Sequence, residues 1–355
     1  MASTDVAAVE RAEADKSPAE NLRRLAGSPW TRALISVGLL VVVATQVDFR
    51  TAARQLSHGD WGWFLLAVAV VLAAFLVGSK RWHVYLEAAG VHVPFGKALR
   101  AYLIGAFTTN FLPSQVGGDV ARAWIVSRRG TRTRAATAVV ADRVVALGCL
   151  LVVAWVGILA SDIPVPGVLL AALSAATVGF TIAGLLVVVL ARGSVRMRPL
   201  LRGRVRGPAR EAREAALACI SRPVLARTVT YGLVFQGLVV LSAWLIARSI
   251  SLGVPFSTLV VILPLVLVVA VLPISIGGLG VREGGFVVLL GQAGVGTTEA
   301  AVFSLLSGLA FALASLPGAV ALLQRGQAGD RRDVAQTEIQ PKRGCGRLAG
   351  IQERV

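Results

Sequence analysis

Long apolar runs separated by short polar segments dominate this chain, and their lengths carry the first prediction. A helix needs about 20 mostly apolar residues, within a range of roughly 17–25, to cross a bilayer. Six runs meet that requirement: 30–47, 61–79, 135–160, 167–191, 224–247 and 299–323. Two further apolar regions are interrupted. Residues 98–112 lead into Pro113-Ser-Gln-Val-Gly117-Gly118 and resume over 119–127, while residues 256–272 lead into Pro273-Ile-Ser-Ile-Gly277-Gly278 and resume over 282–293. Proline removes a backbone donor and glycine loosens the helix, so this combination at lipid depth breaks a helix. Each region is predicted to be a two-armed broken hairpin, re-entrant or nearly spanning. The expected fold class is an all-α polytopic membrane protein with six full spans plus two hairpins.

The two interruptions match each other. Leu112-Pro113-Ser-Gln-Val116-Gly117-Gly118-Asp-Val-Ala-Arg122 aligns with Leu272-Pro273-Ile-Ser-Ile276-Gly277-Gly278-Leu-Gly-Val-Arg282, the shared pattern being LPxx[VI]GGxxxR. Each arginine falls about one turn after the second glycine, inside the following arm. The order span, span, hairpin, span over 30–160 recurs over 167–323. Three spans lie between the hairpins, and an odd number of crossings turns the second over. An inverted repeat is therefore expected.

Composition agrees with the patterning: 55% of residues are hydrophobic and only 15% charged, against roughly 25% charged in soluble domains. Mean hydropathy is +0.73. Lys and Arg number 36 against 19 Asp and Glu, a net charge of +17. In a soluble protein this excess would suggest nucleic acid. Here the cations gather in 80–100, 122–134, 192–213 and the segment after Arg325, whereas 48–60 is balanced and 161–166 and 291–298 carry none. Loops dense in Lys and Arg stay cytoplasmic, so both termini are expected inside a cell membrane. The basic stretch 194–221 lies either on the inner leaflet, at about 1 kcal/mol per basic residue against anionic lipid, or in solvent. It has no interleaved aromatics for base stacking, so nucleic-acid binding is not expected. Residues 1–29 lack the apolar core of a cleaved signal peptide. They and residues 324–355 are expected to be disordered cytoplasmic tails around one transmembrane domain, 30–323.

Little points to catalysis. Cys149, Cys219 and Cys345 have no CxxC spacing, and His58, His83 and His92 are scattered, so no metal or other cofactor is expected. His83, at the end of a span, reads as interfacial. HExxH, Walker A and GxSxG patterns are absent, and the glycines of 278–284 and 294–296 read as loop glycines.

Paired, Pro/Gly-interrupted segments in corresponding halves point instead to a transporter site near mid-membrane. A helix start offers free N–H groups and the positive end of its dipole, and glycine admits a ligand close to backbone. Arg122 and Arg282 add planar donor forks suited to phosphate or carboxylate. With Gly117, Gly118, Gly277 and Gly278 they describe two anion sites, one facing each leaflet. An arginine at the bilayer centre costs about 2.5–3.5 kcal/mol on insertion scales, so each should face a partner or a wet cavity. A second reading has Arg122 snorkelling to the interface with Asp119 as partner, and Glu283 neutralising Arg282. Asp142-Arg143, inside the span 135–160, either forms a buried pair that fixes packing or brings Arg143 to the same cavity. Val302-Phe303 stands at the equivalent place in the second half, so the site is not charge-symmetric.

At these residues the chain resembles the lysylphosphatidylglycerol synthase transmembrane-region family, also known as flippase-like or UPF0104 membrane proteins. The likeness covers about residues 30–323 and rests on Arg81-Trp82, Asn110-Phe111-Leu112-Pro113 through Gly117-Gly118 and Arg122, Asp142-Arg143, and Pro273 through Gly277-Gly278-Leu279-Gly280-Val281-Arg282-Glu283. The resemblance implies an inner-membrane protein whose better-understood relatives move charged phospholipids between leaflets. Those relatives carry a cytosolic aminoacyl-transferase domain, for which residues 324–355 leave no room, so synthase activity is not expected. Phe303-Ser304-Leu305 replaces the basic residue that the resemblance leads one to expect in the final span.

The expected function is transport between leaflets of an amphiphile with an anionic head, a phospholipid or a polyprenyl-phosphate carrier. No nucleotide site is read, so transport would be passive or gradient-coupled, with membrane lipids as partners. One alternative is a non-catalytic membrane subunit that presents a lipid-linked substrate to a separate glycosyltransferase or lipid-modifying enzyme. Another is a membrane-embedded transferase using Asp119, Asp142 or Glu283.

Overall fold

The computed structural model describes residues 38–39, 41–42, 44–111, 115–128, 130–160, 165–192, 206–271 and 280–338, and no strand occurs among them. Their helices are α1 (Phe49–Ser57), α2 (Trp61–Ala88), α3 (Phe95–Phe111), α4 (Gln115–Val126), α5 (Arg132–Leu159), α6 (Gly167–Arg192), α7 (Arg206–Cys219), α8 (Arg222–Ser249), α9 (Phe256–Val271), α10 (Val281–Gln292) and α11 (Thr297–Glu338). Five are long and apolar enough to cross a membrane: α2, α5, α6 over 167–189, α8 and α11 over 297–324. They correspond to five of the six expected spans. Of the first, 30–47, most lies outside the described residues, and the part that is described is helical as far as Thr45.

The interrupted regions give the short pairs α3/α4 and α9/α10. At 1.5 Å per residue, α4 and α10 are each about 18 Å long and neither crosses a hydrocarbon layer of roughly 30 Å. Helix α3 ends at Phe111 and α4 begins at Gln115, ahead of the Gly117-Gly118 pair, while α9 ends at Val271 and α10 begins at Val281; residues 112–114 and 272–279 lie outside the described residues. Two segments differ from expectation. Residues 48–60, read as a loop, contain α1, because the Asp48 carboxylate accepts the Arg50 N–H at 2.9 Å and starts a helix. Helix α11 continues to Glu338, into the segment expected to be a disordered tail.

Packing follows membrane logic. Lipid tails are as apolar as leucine, so helices associate through close contact and polar pairs instead of through apolar burial. The most extensive interface joins α2 and α8. Small residues let these two approach: Ala67, Ala74 and Gly78 are buried on α2, and Gly232 and Ala243 on α8. Around this pair, α3 packs on α4, α11 and α2, while α9 packs on α10, α5 and α8. Gly157 meets the Val260 carbonyl of α9, where an added Cβ would sit at 2.8 Å, and Gly318 lies tighter still against the Leu103 carbonyl of α3. By contrast α6 has only 6% of its apolar window buried and exposes Val178, Ile182, Leu185 and Leu186. In water such a face would mark an interface or an aggregation site; in a bilayer it faces lipid.

Helix α7 packs against α5, α6, α2 and α8 at one end of the bundle. It packs on α5 through Ala215 and Cys219, and Cys219 Sγ sits 3.9 Å from the Tyr85 carbonyl of α2. Its polar face carries an Arg210–Glu214 pair at 2.8 Å, which holds the Glu214 carboxyl below its ordinary range through that hydrogen bond. Burial pushes the Cys219 thiol up to about 11. Cys149 is also buried. In a Cys345→Ser variant, both remaining cysteines should therefore resist maleimide at neutral pH in native membranes and react after SDS denaturation. A gel shift with a polyethylene-glycol maleimide reads this directly; labelling before denaturation would contradict the packing of α7 on the bundle.

Candidate functional site

Charged side chains from three helices meet inside the bundle. Asp142 on α5 accepts from Arg81 Nε of α2 at 2.7 Å through Oδ1, and from Arg122 Nη1 and Nη2 of α4 at 3.0 Å through Oδ2. Arg122 also pairs with Asp119 at 2.9 Å, one turn earlier on α4, and Asp119 in turn accepts from Arg143 Nε at 2.5 Å. Arg81 and Asp142 are each 2% exposed and Arg122 is 4% exposed. The Arg143 side chain, 49% exposed, marks the open edge of the cluster.

Aromatic rings wall it. The Arg122 guanidinium lies 4.9 Å from the Trp82 ring and 5.3 Å from the Tyr102 ring, and that of Arg81 lies 5.5 Å from Phe235. These ring faces favour a cation and exclude water. At 1.5 Å per residue the cluster lies about 10 Å from the C-terminal end of α2 and about 15 Å from the N-terminal end of α5. It therefore sits in the half of the bundle nearer α7.

Glycines bring α4 close enough for this. Gly118 lies against the Gly105 carbonyl and Thr109 Oγ1 of α3, nearer than any Cβ could approach, and a Cβ on Gly105 would meet the Gly118 carbonyl at 2.9 Å. Arg122 follows Gly118 by one turn on the same face and enters the cluster. Gly78 does the same for Tyr102, whose ring carbon Cζ would lie 2.9 Å from an added Cβ.

This geometry revises the roles read from sequence. Gly117 and Gly118 are already inside α4 instead of at a hairpin tip, and Gly118 is a packing residue at the α3–α4 contact. Gly277 and Gly278 lie outside the described residues. Asp142 and Arg143 do not pair with each other: neighbours in a helix point about 100° apart, so each finds its own partner. Asp119 is a partner of Arg122, and Glu283 of Arg282, as the snorkelling reading had them. Arg81, taken as the end of a span, lies well inside the longer α2. The apolar positions Val84, Tyr85 and Leu86 that follow it were the available signal. His83 has a local partner, its Nε2 lying 2.8 Å from the Val93 carbonyl.

The second arginine has a different setting. Arg282 reaches Glu283 Oε1 at 2.6 Å, while Glu283 Oε2 accepts the Gly280 N–H at 2.6 Å and so closes the first turn of α10. Gly280 has φ +82, a left-handed conformation that favours glycine. The Arg282 guanidinium rests on Gly308 of α11, where a Cβ would sit 2.7 Å from Nη2. Helix α4 packs on α3 and α5, and α10 on α9 and α11, so the two arginines occupy separate groups of helices.

Three buried donors in the first cluster find no acceptor among the described residues: Arg81 Nη1, Arg122 Nε and Trp82 Nε1. All three are N–H groups, and the five charged side chains leave one positive charge over. Such a set of donors could offer hydrogen bonds and positive charge to an anion. No group of three or more His, Cys, Asp or Glu that could hold a metal occurs among the described residues.

The fold and this cluster define a multi-pass α-helical membrane protein with a buried, cation-rich site. Residues 30–318 match the family described as the lysylphosphatidylglycerol synthase TM region, and the chain belongs to that family. It is also similar to a UPF0104 membrane protein of Pyrococcus horikoshii, 24% identical over 115 residues that make up 31% of this chain and 34% of that protein. The chain thus spans about a third of the length of the curated relative it matches. No solved structure matches.

Removing one partner from a buried ion pair strands the other charge, at about 3–5 kcal/mol. Arg122→Ala and Asp142→Ala should each lower the thermal unfolding midpoint in detergent clearly more than Arg282→Ala, because the Arg282 side chain is 27% exposed. Gly118→Val should unfold the protein or separate α4 from α3. A Gly118→Val midpoint equal to wild type would contradict the close approach.

Proposed function

We propose that this protein is a flippase-like transporter that moves a lipid with an anionic headgroup between leaflets, its phosphate held by the cluster around Arg122. The single observation that carries this reading is the surplus of buried N–H donors and positive charge on Arg81, Arg122 and Trp82. A transporter needs such a site inside the membrane, reachable from each side in turn. A solvated basic loop or a structural ion pair needs neither the unpaired donors nor the aromatic walls.

The inverted-repeat reading has independent support in the packing. Exchange α2 with α8, α3 with α9, α4 with α10 and α5 with α11. The α3–α11 interface becomes α9–α5, α2–α5 becomes α8–α11, and every other interface among these eight helices also falls on a counterpart. Hairpin α3/α4 opens toward the α7 end and α9/α10 toward the other, as alternating access between two gates requires. Under the same exchange Arg122 corresponds to Arg282, which would serve a headgroup on the opposite side with Glu283 as its resting partner.

Orientation follows from the two ends. The α7 end exposes Lys80, Arg100, Arg128, Arg132, Arg210 and Arg222, whereas Asp48, Asp60 and Glu299 balance Arg50, Arg54 and Arg248 at the other. Retention of cationic segments inside puts the α7 end in the cytoplasm. Exposed Trp61 and Trp63 at the start of α2 suit the opposite interface.

Purified protein in liposomes should accelerate movement of a fluorescent phosphatidylglycerol between leaflets, and Arg122→Ala and Arg282→Ala should each slow it at least about tenfold, a loss of roughly 1.4 kcal/mol in transition-state stabilisation. No acceleration with any anionic headgroup tested would defeat the transporter reading. Unchanged rates in both variants would defeat the site. Cysteines placed at residues 293–296 should label from outside intact cells and one at Arg210 should not; the reverse pattern would overturn the orientation.

A further inference from the structure

We infer that Asp142 is a resident counter-ion, a carboxylate occupying the place of the substrate's anion, and that headgroup binding displaces it from Arg122 and Arg81. The inference rests on the transporter reading only for the class of anion chosen as probe. Arg122 presents both terminal nitrogens to one oxygen of Asp142 at 3.0 Å each, the two-donor approach that it would offer a phosphate oxygen. Arg81 holds the other oxygen at 2.7 Å. With 2–4% exposure on all three side chains, an anion has no space beside Asp142 and must take its position.

Stoichiometry favours the exchange. Asp142 has two oxygens and already serves three N–H groups, while Arg81 Nη1, Arg122 Nε and Trp82 Nε1 remain without an acceptor. A tetrahedral phosphate presents more oxygens in more directions than a planar carboxylate and can meet donors that Asp142 leaves unmet. The cluster's surplus positive charge gives an external anion a further advantage over a carboxylate already counted in the balance.

Displacement has a mechanical consequence. Asp142 ties α2, α4 and α5 together through its ion pairs with Arg81 and Arg122. Once it lets go, the ion pair left between α4 and α5 among the described residues is Asp119 with the half-exposed Arg143, beside the Arg132 guanidinium over the Trp124 ring and the apolar contact at Val126. Binding of the anion would thereby loosen the hairpin α3/α4 from α5, so that occupancy and gate movement are linked by one carboxylate. Asp142 acts through the arginines and is a positioning residue, in competition with the ligand.

The test measures thermal unfolding of the full chain in non-ionic detergent against three probes: short-chain phosphatidylglycerol, short-chain diacylglycerol and inorganic phosphate. Wild type, Asp142→Asn and Asp142→Glu are compared. Because the competitor is gone, Asp142→Asn should be stabilised by phosphatidylglycerol at a half-saturating concentration about tenfold or more below that of wild type, within the usual range of coupling between sites. Asp142→Glu, which keeps the carboxylate, should stay near wild type. Stabilisation by phosphate as well as lipid makes the phosphate group itself the ligand. Stabilisation by the lipid alone makes it the whole headgroup with its chains. Either supports the competition, whereas an equal response to uncharged diacylglycerol overturns it.

Equal half-saturation in wild type and Asp142→Asn, or tightening by Asp142→Glu to the same degree, would also overturn the inference. So would the absence of any response from wild type and Asp142→Asn. Should Asp142→Asn fail to fold, Arg81→Gln/Asp142→Asn restores the charge balance and is compared with Arg81→Gln alone, with the same tightening expected. Unfolding midpoints do not involve transport. A null result here therefore removes the competition and leaves the transporter reading, and a liposome failure does the reverse.

Discussion

A carboxylate buried in a membrane must be paired, and two arginines on separate helices converge on the one at Asp142. Charge inside a bilayer costs several kcal/mol unless it is paired and hydrogen-bonded, so the positions of Arg81, Arg122 and Asp142 are coupled. None can move without stranding another. The pairing fixes how α2, α4 and α5 sit together, and it sets the depth at which the short hairpin α3/α4 is anchored. Much of what is distinctive in the first half of the molecule can be read as support for that contact.

Glycine is the main support. Ion pairs between helices need short distances, and helices approach closely only where side chains are missing. Gly118 against Gly105 brings α4 onto α3, Gly78 admits Tyr102, and Gly232 gives space to Cys149 and the nearby Arg81 Nη1. In lipid, where apolar burial supplies no driving force between helices, such contacts and the polar pairs they permit are the cohesive interactions. The same logic leaves α6 almost bare of protein neighbours, because its face loses nothing by meeting lipid.

The two arginines that correspond in sequence have been given unequal surroundings. Arg122 is buried among four helices, shared between two carboxylates and stacked on rings; Arg282 is partly exposed and paired with the next residue of its own helix. A bond within one helix does not tie helices together, whereas Asp142 does. Movement about the first cluster therefore requires an exchange of partners between helices, and movement about the second does not.

The hydrophobic pattern alone determined the class of protein and five helices long and apolar enough to cross a membrane, since span length is a local property. The recurrence of the LPxx[VI]GGxxxR motif was legible for the same reason: Arg122 and Arg282 stand at the same offset from it. The pairing of charges was not legible, because a helix turns about 100° per residue and sends Asp142 and Arg143 to different neighbours. Nor was Arg81, which looked like the end of a span until α2 proved to run to Ala88. Gly118 advertised a ligand-binding tip in sequence and became a packing residue once α3 lay against it. Sequence could list the ionisable groups within apolar runs; only the tertiary structure could say which of them share a hydrogen-bond acceptor, because that depends on distances between helices set by glycines far apart in the chain.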